Sequence, residues 1–288
     1  VLGHQPTLAA AELSAVLNLN TAKLEFVDDK QRILKTDKKI ESQTLIKQLG
    51  GTVKIAKELD NNLSKENLKK IILQELKKIE GKIIFGLSLY AEKKYNLKEI
   101  QRFGINLKKE LKQAGHSIRY VQNRELVLSS AVVKNNKLLK KGVEFLITIN
   151  KKGKFSVAKT TAIQPFVEFS KRDYGRPGRD DNSGMLPPKL AMTMINLSRA
   201  KKTDTILDPF CGSGTILTEA VLLGYKKITG TDISERAILD SKKNIDWITK
   251  GGSENTNVEI NIKQVDVSKL NTVLKPNSVN SIIAEPYL

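Results

Sequence analysis

Two aspartates and two glycines carry the first chemical signal in this chain. In residues 207–220, LDPFCGSGTILTEA, an apolar residue and Asp208 precede a tight turn containing Gly212 and Gly214. A helical pattern then begins at Thr215. Glycine allows a turn where a side chain would not fit, so a ligand can approach the main chain. The first amides of a helix over 215–223 would face that same ligand. About twenty residues on, ITGTDI (228–233) reads as a second strand ending in Asp232. A glycine loop at one end and an acid for ribose hydroxyls suit an adenosine-containing cofactor.

The details narrow the choice of cofactor. A dinucleotide fingerprint needs a third glycine where Leu217 stands, and the Gly-Lys-Ser/Thr of a triphosphate loop is absent. Asp208 would repel a pyrophosphate but could hold a cationic amino group. S-adenosylmethionine (SAM) carries an ammonium and a sulfonium, so a glycine turn flanked by Asp208, Pro209, Phe210 and Asp232 fits it. An ordinary strand-turn-helix would explain the glycines, but not the two strand-end acids.

The elements that position these residues can be read along the chain. Pro6-Thr7 precede a helix predicted over 8–17, followed by short strands at 23–27 and 32–35, a helix over 43–49 and a strand over 52–56. This small α+β unit is expected to end near Asn61-Asn62. Ser64 then caps a helix with Leu68, Ile71, Ile72, Leu76 and Ile79 on one face. A strand over 83–89 and a helix marked by Phe103, Leu107 and Leu111 follow. Strands are predicted over 117–122, 126–133, 143–149 and 155–162. Residues 169–183 read as a polar link, and Pro187-Pro188 open a helix to Leu197. The last part should contain a helix over 234–248 and strands over 258–264 and 279–284.

Composition sets outer limits. The 288 residues are 40% hydrophobic and 28% charged, which is globular and sufficient for two or three domains. No apolar run approaches the length of a membrane span and no signal peptide is visible, so a cytoplasmic location is expected. The single cysteine, Cys211, excludes an internal disulfide and a cysteine-rich zinc site, and no metal is expected. The net charge is +18, of which residues 186–288 contribute only +2 and residues 1–185 the remaining +16. Such asymmetry suits one part gripping a polyanion while another does chemistry. A generally lysine-rich surface is the alternative. Within the link, Lys171, Arg172, Tyr174, Arg176 and Arg179 suggest an RNA contact strip, because arginine forks onto phosphate and stacks on bases. A solvated linker would carry the same composition.

Taken together, LDPFCGSGTILTEA resembles the first motif of the amino-methylating, Rossmann-like SAM-dependent methyltransferases. The likeness is greatest to tRNA guanine-N2 methyltransferases that carry a THUMP RNA-binding domain. VLGHQPTLAAAEL at the start resembles that family's ferredoxin-like opening. GRPGRDDNSGMLPPKLAMTMINLS resembles the lead into its catalytic domain, and SIIAEPYL stands where a D-P-P-Y motif is expected. The resemblance implies a ferredoxin-like α+β domain over 1–62, a THUMP-like domain over 63–168, a basic linker over 169–185 and an α/β methyltransferase domain over 186–288. It also implies a structured RNA, tRNA, as partner, with an accessory protein subunit unknown.

The resemblance assigns further residues. An acid after the third strand of the catalytic half meets the adenine amine, with an apolar neighbour on the ring. Asp266 and Val267 fit, with Ile233 after the second strand, although Asp266 could equally be a helix N-cap. At the fourth strand, an acid and a carbonyl accept hydrogen bonds from the target NH2 while an aromatic stacks on the base. Glu285, Pro286 and Tyr287 occupy this place, but Glu replaces Asp and the aromatic has moved. Catalysis would then be mostly positioning, with the methyl supplied by SAM. No Pro-Cys nucleophile is present, which argues against methylation of cytosine carbon 5. Methylation of DNA or ribosomal RNA, or an RNA-binding role for a degenerate domain, are the other readings. The absence of an initiating Met and the end at Leu288 lead us to expect a fragment that is inactive alone, with roughly three strands and two helices still to follow.

Overall fold

A computed structural model of the chain describes residues 1–20, 25–26, 32–91, 95–180, 184–250 and 258–286. The elements run α1 (Pro6–Leu17), β1 (Glu25–Phe26), β2 (Leu34–Lys35), α2 (Ser42–Leu45), β3 (Lys54–Leu63), α3 (Lys65–Lys77), β4 (Ile83–Tyr90) and α4 (Leu97–Gln113). They continue through β5 (Ile118–Val121), α5 (Ser130–Asn135), β6 (Val143–Ile149), β7 (Phe155–Ile163), α6 (Phe166–Tyr174) and α7 (Pro188–Leu197). The last are β8 (Thr205–Asp208), α8 (Thr215–Leu222), β9 (Lys227–Asp232), α9 (Glu235–Lys250), β10 (Glu259–Gln264) and β11 (Ser281–Ile282). Two compact units result. Val1–Thr7, Ala22–Lys47 and Thr52–Phe166 form the first; Leu8–Thr21, Gln48–Gly51 and Val167–Leu288 form the second.

The first unit is built on a mixed sheet ordered β3-β7-β6-β4-β5, with β4 parallel to both β5 and β6. Helices α3 and α4 bury Leu68, Ile72, Leu76, Ile100, Leu107 and Leu111 against Phe85, Leu87 and Phe145 of the sheet. Each such side chain contributes roughly 1.5–3 kcal/mol on burial. Ser64 caps α3 by accepting from the Asn67 amide, and Asn96 with Glu99 forms a reciprocal capping box on α4. One ion pair lies wholly inside: Lys54 of β3 meets Glu144 of β6, at 1% and 0% side-chain exposure. Ser88 and Thr160 donate to Glu144, and the Lys54 ammonium also donates to the Leu128 carbonyl. Burial lowers the Lys54 pKa, and Glu144 opposes that shift.

Three sequence expectations change here. No element ends at Asn61-Asn62, because β3 runs through them and pairs with β7 as far as Leu63. The asparagine pair marks irregular pairing within a strand, where Asn62 takes a left-handed φ of 55°. The strand expected over 126–133 is instead the short helix α5, capped by Ser129. The polar link over 169–183 begins inside α6, whose Phe169 is 2% exposed in the core of the second unit.

The second unit holds a wholly parallel sheet ordered β10-β9-β8-β11. In chain order this is 3-2-1-4, the doubly wound arrangement in which the first and fourth strands flank a switch point. The core joins Ile206 and Ile228 of the sheet to Ala191 and Ile195 of α7, Leu217, Ala220 and Val221 of α8, and Ile238 and Ile245 of α9. A Cβ on Gly230 would lie 2.5 Å from Leu217, so this glycine admits α8 close to β9. Glu12 of α1, fully buried, accepts the amides of Gly50 and Gly51 and the Asn196 side chain, each at 2.8 Å. Burial raises the Glu12 pKa, and those three hydrogen bonds resist the shift.

Candidate functional site

Parallel strands bring four acids to one edge of the second sheet. Asp208 ends β8 and Asp232 ends β9. Asp266 follows β10 by two residues, and Glu285 follows β11 by three. In a doubly wound sheet, this carboxyl edge at the switch point is where ligands bind.

The turn after β8 is held from two sides. Cys211 donates its amide to Thr231 O at 2.9 Å, and Gly214 closes the turn onto Cys211 O at 2.7 Å. Asp232 accepts the Gly212 amide on Oδ2 and the Ser234 amide on Oδ1, both at 2.9 Å. On the other side, Ser241 donates to Gly212 O at 2.8 Å and Asn244 to Ser213 O at 2.7 Å. The two turn glycines differ in surroundings. Gly212, at φ 51°, has nothing within 4 Å of where a Cβ would stand, whereas Gly214, at φ 80°, faces Ser241. The Gly212 side of the turn is thus open, while Gly214 packs against α9.

Asp208 is 2% exposed and accepts from the Phe210 amide at 3.1 Å. Burial pushes its pKa up to about 7; the hydrogen bond resists this, and the charges of Asp232 and Glu285 add to it. Burial also drives the Cys211 thiol to about 12, so this cysteine is no nucleophile. Asp266 caps the 3-10 turn Val267–Thr272, accepting from the Ser268 amide and hydroxyl at 2.8 Å, and these bonds lower its pKa. Its capping alternative is therefore realised, with acceptor capacity remaining on the carboxylate. Phe210, Ile233 and Val267 are 41%, 68% and 43% exposed. Each stands one or two residues beyond a strand-end acid, so the acids are interleaved with open apolar surface. Pro209 lies in the loop, where its carbonyl accepts from Thr231 Oγ1 at 3.3 Å. Glu285 and Pro286 are exposed after β11; Tyr287 lies outside the described residues.

The expected RNA strip is largely redirected inward. Arg172 donates to both oxygens of Glu219 at 2.6 and 3.1 Å, and Glu219 is fully buried. Arg176 is 5% exposed and donates to Thr215 Oγ1 at the start of α8. Arg179 donates to the carbonyls of Asp173 and Tyr174. Sequence alone hides this, because a buried arginine and a solvated one look alike until the partner Glu219 is placed. Of the strip, Lys171 lies over the Trp247 ring at 5.6 Å and Tyr174 remains 72% exposed. Ser241, Asn244 and Gly178 were not anticipated. The signal for Ser241 and Asn244 was polar residues at core-facing positions of α9, in step with Ile238 and Ile245.

A parallel 3-2-1-4 sheet with strand-end acids around a glycine turn is a Rossmann-like arrangement, and the match of residues 176–288 to a methyltransferase model supports S-adenosylmethionine as methyl donor. Residues 176–288 match the model of the UPF0020 family, described as an RMKL-like methyltransferase domain. Among curated proteins, the chain is 48% identical over 62 residues to a tRNA (guanine(10)-N2)-dimethyltransferase of Methanothermobacter thermautotrophicus, covering 22% of this chain and 18% of that protein. It is 43% identical over 82 residues to the protein of the same name from Methanocaldococcus jannaschii, covering 27% and 23%. The matched stretches thus span about a fifth of these relatives. The crystal structure of TrmN from Thermus thermophilus shares the fold over 99% of this chain and 77% of that one, with a TM-score of 0.56 and 17% identity. Among the described residues, no helix is long and apolar enough to cross a membrane.

Proposed function

We propose that the protein methylates the exocyclic N2 of a guanine in tRNA, with residues 1–62 forming a ferredoxin-like domain, residues 63–168 a THUMP-like RNA-binding domain, and the cytoplasm as its location. The observation that carries the reading is the cluster of strand-end acids around the open side of Gly212. The tRNA guanine is supported by the relatives' names and by the +16 balance of residues 1–185.

The residues fit the cofactor. Gly212 leaves room at the main chain, and the α8 amides from Thr215 present a positive helix end to a carboxylate. Asp208 offers a buried acceptor to an ammonium. Asp232 retains lone pairs for ribose hydroxyls after accepting two amides. Asp266 is the acceptor for the adenine amine, and Phe210, Ile233 and Val267 supply apolar surface for the ring. When bound, SAM supplies a methyl group activated by the sulfonium. Glu285 accepts a hydrogen bond from the guanine NH2 and orients the nitrogen. Orientation of the amine is the protein's main contribution.

The test combines calorimetry with S-adenosylmethionine and methyl transfer to tRNA, read by nucleoside mass analysis. Binding followed by N2-methylguanosine formation is expected from the complete protein. Binding without transfer to any RNA would favour an RNA-binding role, and no binding would overturn the cofactor reading.

A further inference from the structure

We propose that Asn244 and Ser241 are positioning residues for the cofactor, acting through the glycine loop; this rests on reading that loop as the SAM site. The two side chains are one turn apart on α9, and they take hold of two consecutive carbonyls. Ser241 Oγ donates to Gly212 O at 2.8 Å, and Asn244 Nδ2 donates to Ser213 O at 2.7 Å. In a planar trans peptide the carbonyl and the following amide point in opposite directions. Drawing Gly212 O toward α9 therefore turns the Ser213 N–H away from it. The loop's amide direction is set from behind, by groups that do not touch the ligand.

Asn244 does more than anchor the loop. Its Nδ2 also donates to Gly178 O, and its Oδ1 accepts the Gly178 amide, both at 2.8 Å. The side chain is 1% exposed, and both of its donor hydrogens and its acceptor are used on backbone. It thus ties the segment around Gly178 to the loop. A Cβ on Gly178 would fall 2.6 Å from Asp240 O, so only glycine brings this backbone close enough to α9. Two residues earlier, Arg176 holds Thr215 Oγ1, the first residue of α8. The 176–178 segment buttresses the loop at both Ser213 and Thr215, and Asn244 is the junction.

The experiment uses the full chain and measures S-adenosylmethionine affinity by calorimetry, well below each variant's melting temperature, alongside thermal unfolding. Asn244→Leu should weaken binding on the order of tenfold or more, since the loop's competent arrangement is no longer held. Asn244→Asp keeps the volume and the Gly178 N–H bond but loses both donors, and should weaken binding similarly if Asn244→Leu does not fold. Ser241→Ala should have a smaller effect of the same sign. Asn196→Leu is the control: Asn196 bonds Glu12 and Gln48 O in the same unit without touching the loop. It should lower the melting temperature while leaving the affinity intact. The proposal is overturned if folded Asn244 variants bind within twofold of wild type, or if Asn196→Leu weakens binding as much. A wild-type chain that binds no SAM would instead remove the cofactor reading, and this inference with it.

Discussion

Gly214 and Ser241 are in steric register: a Cβ on Gly214 would lie 2.7 Å from Ser241 Oγ and 3.2 Å from its Cα. With φ at 80°, Gly214→Ala combines left-handed strain with a clash, and should destabilise the fold by about 2–3 kcal/mol. Gly212→Ala, at φ 51° with open space, should cost only about 1 kcal/mol yet block the ligand. Unfolding and SAM titrations on both variants would check this; equal loss of stability would contradict the division of roles.

Asp208 gives the site a pH signature. Its carboxyl holds a proton up to about pH 7 when folded but loses it near 3.8 when unfolded. Its contribution to stability is therefore complete below the unfolded value and is lost as pH rises to about 7. At about 1.4 kcal/mol per unit, the effect is at most roughly 4 kcal/mol. Asp208→Asn should gain stability relative to wild type on going from pH 4 to pH 8, as read by denaturant unfolding. An ammonium favours the charged carboxylate, so SAM binding should release a proton between these values, measurable by calorimetry in buffers of different ionisation enthalpy. A proton count that Asp208→Asn leaves unchanged would place the ammonium elsewhere.

Arg172 and Glu219 form a largely buried pair. Burial raises the Glu219 pKa, and Arg172 followed by Arg176 draws it back down. Arg172→Ala should strand that carboxylate and destabilise the protein by about 3–5 kcal/mol. In a folded population it should leave the salt dependence of tRNA binding unchanged. A reduced salt slope would return Arg172 to the RNA surface.

Glu285 stands where the target amine should arrive. In a complete protein, Glu285→Ala should lower turnover more than Glu285→Gln, which keeps an acceptor oxygen, with SAM affinity little altered in either. Full turnover by the alanine variant would remove Glu285 from the reaction.

Most strands, the glycine turn and the strand-end positions of Asp208, Asp232, Asp266 and Glu285 were legible because period, turn residues and strand ends are local properties. The start of α3 was marked by Ser64. What escaped was decided by partners distant in sequence. Asn61-Asn62 has turn composition, but β7 recruits it into irregular pairing. Residues 126–133 have an apolar strand-like pattern, but Ser129 starts a helix within it. Arg172 and Arg176 read as surface charge until Glu219 and Thr215 appear beside them. Asn244 spoke only as a polar residue on an apolar helix face.

The Lys54–Glu144 pair has a consequence for assembly of the first sheet. Glu144 collects Lys54 from β3, Thr160 from β7 and Ser88 from β4, so one carboxylate checks three neighbouring strands at once. The pairing of β3 with β7 shifts register at three places. Any slip would carry the Lys54 ammonium away from its partner and leave a lone charge out of water. The pair thus fixes the native alignment of β3 from a single carboxylate on β6.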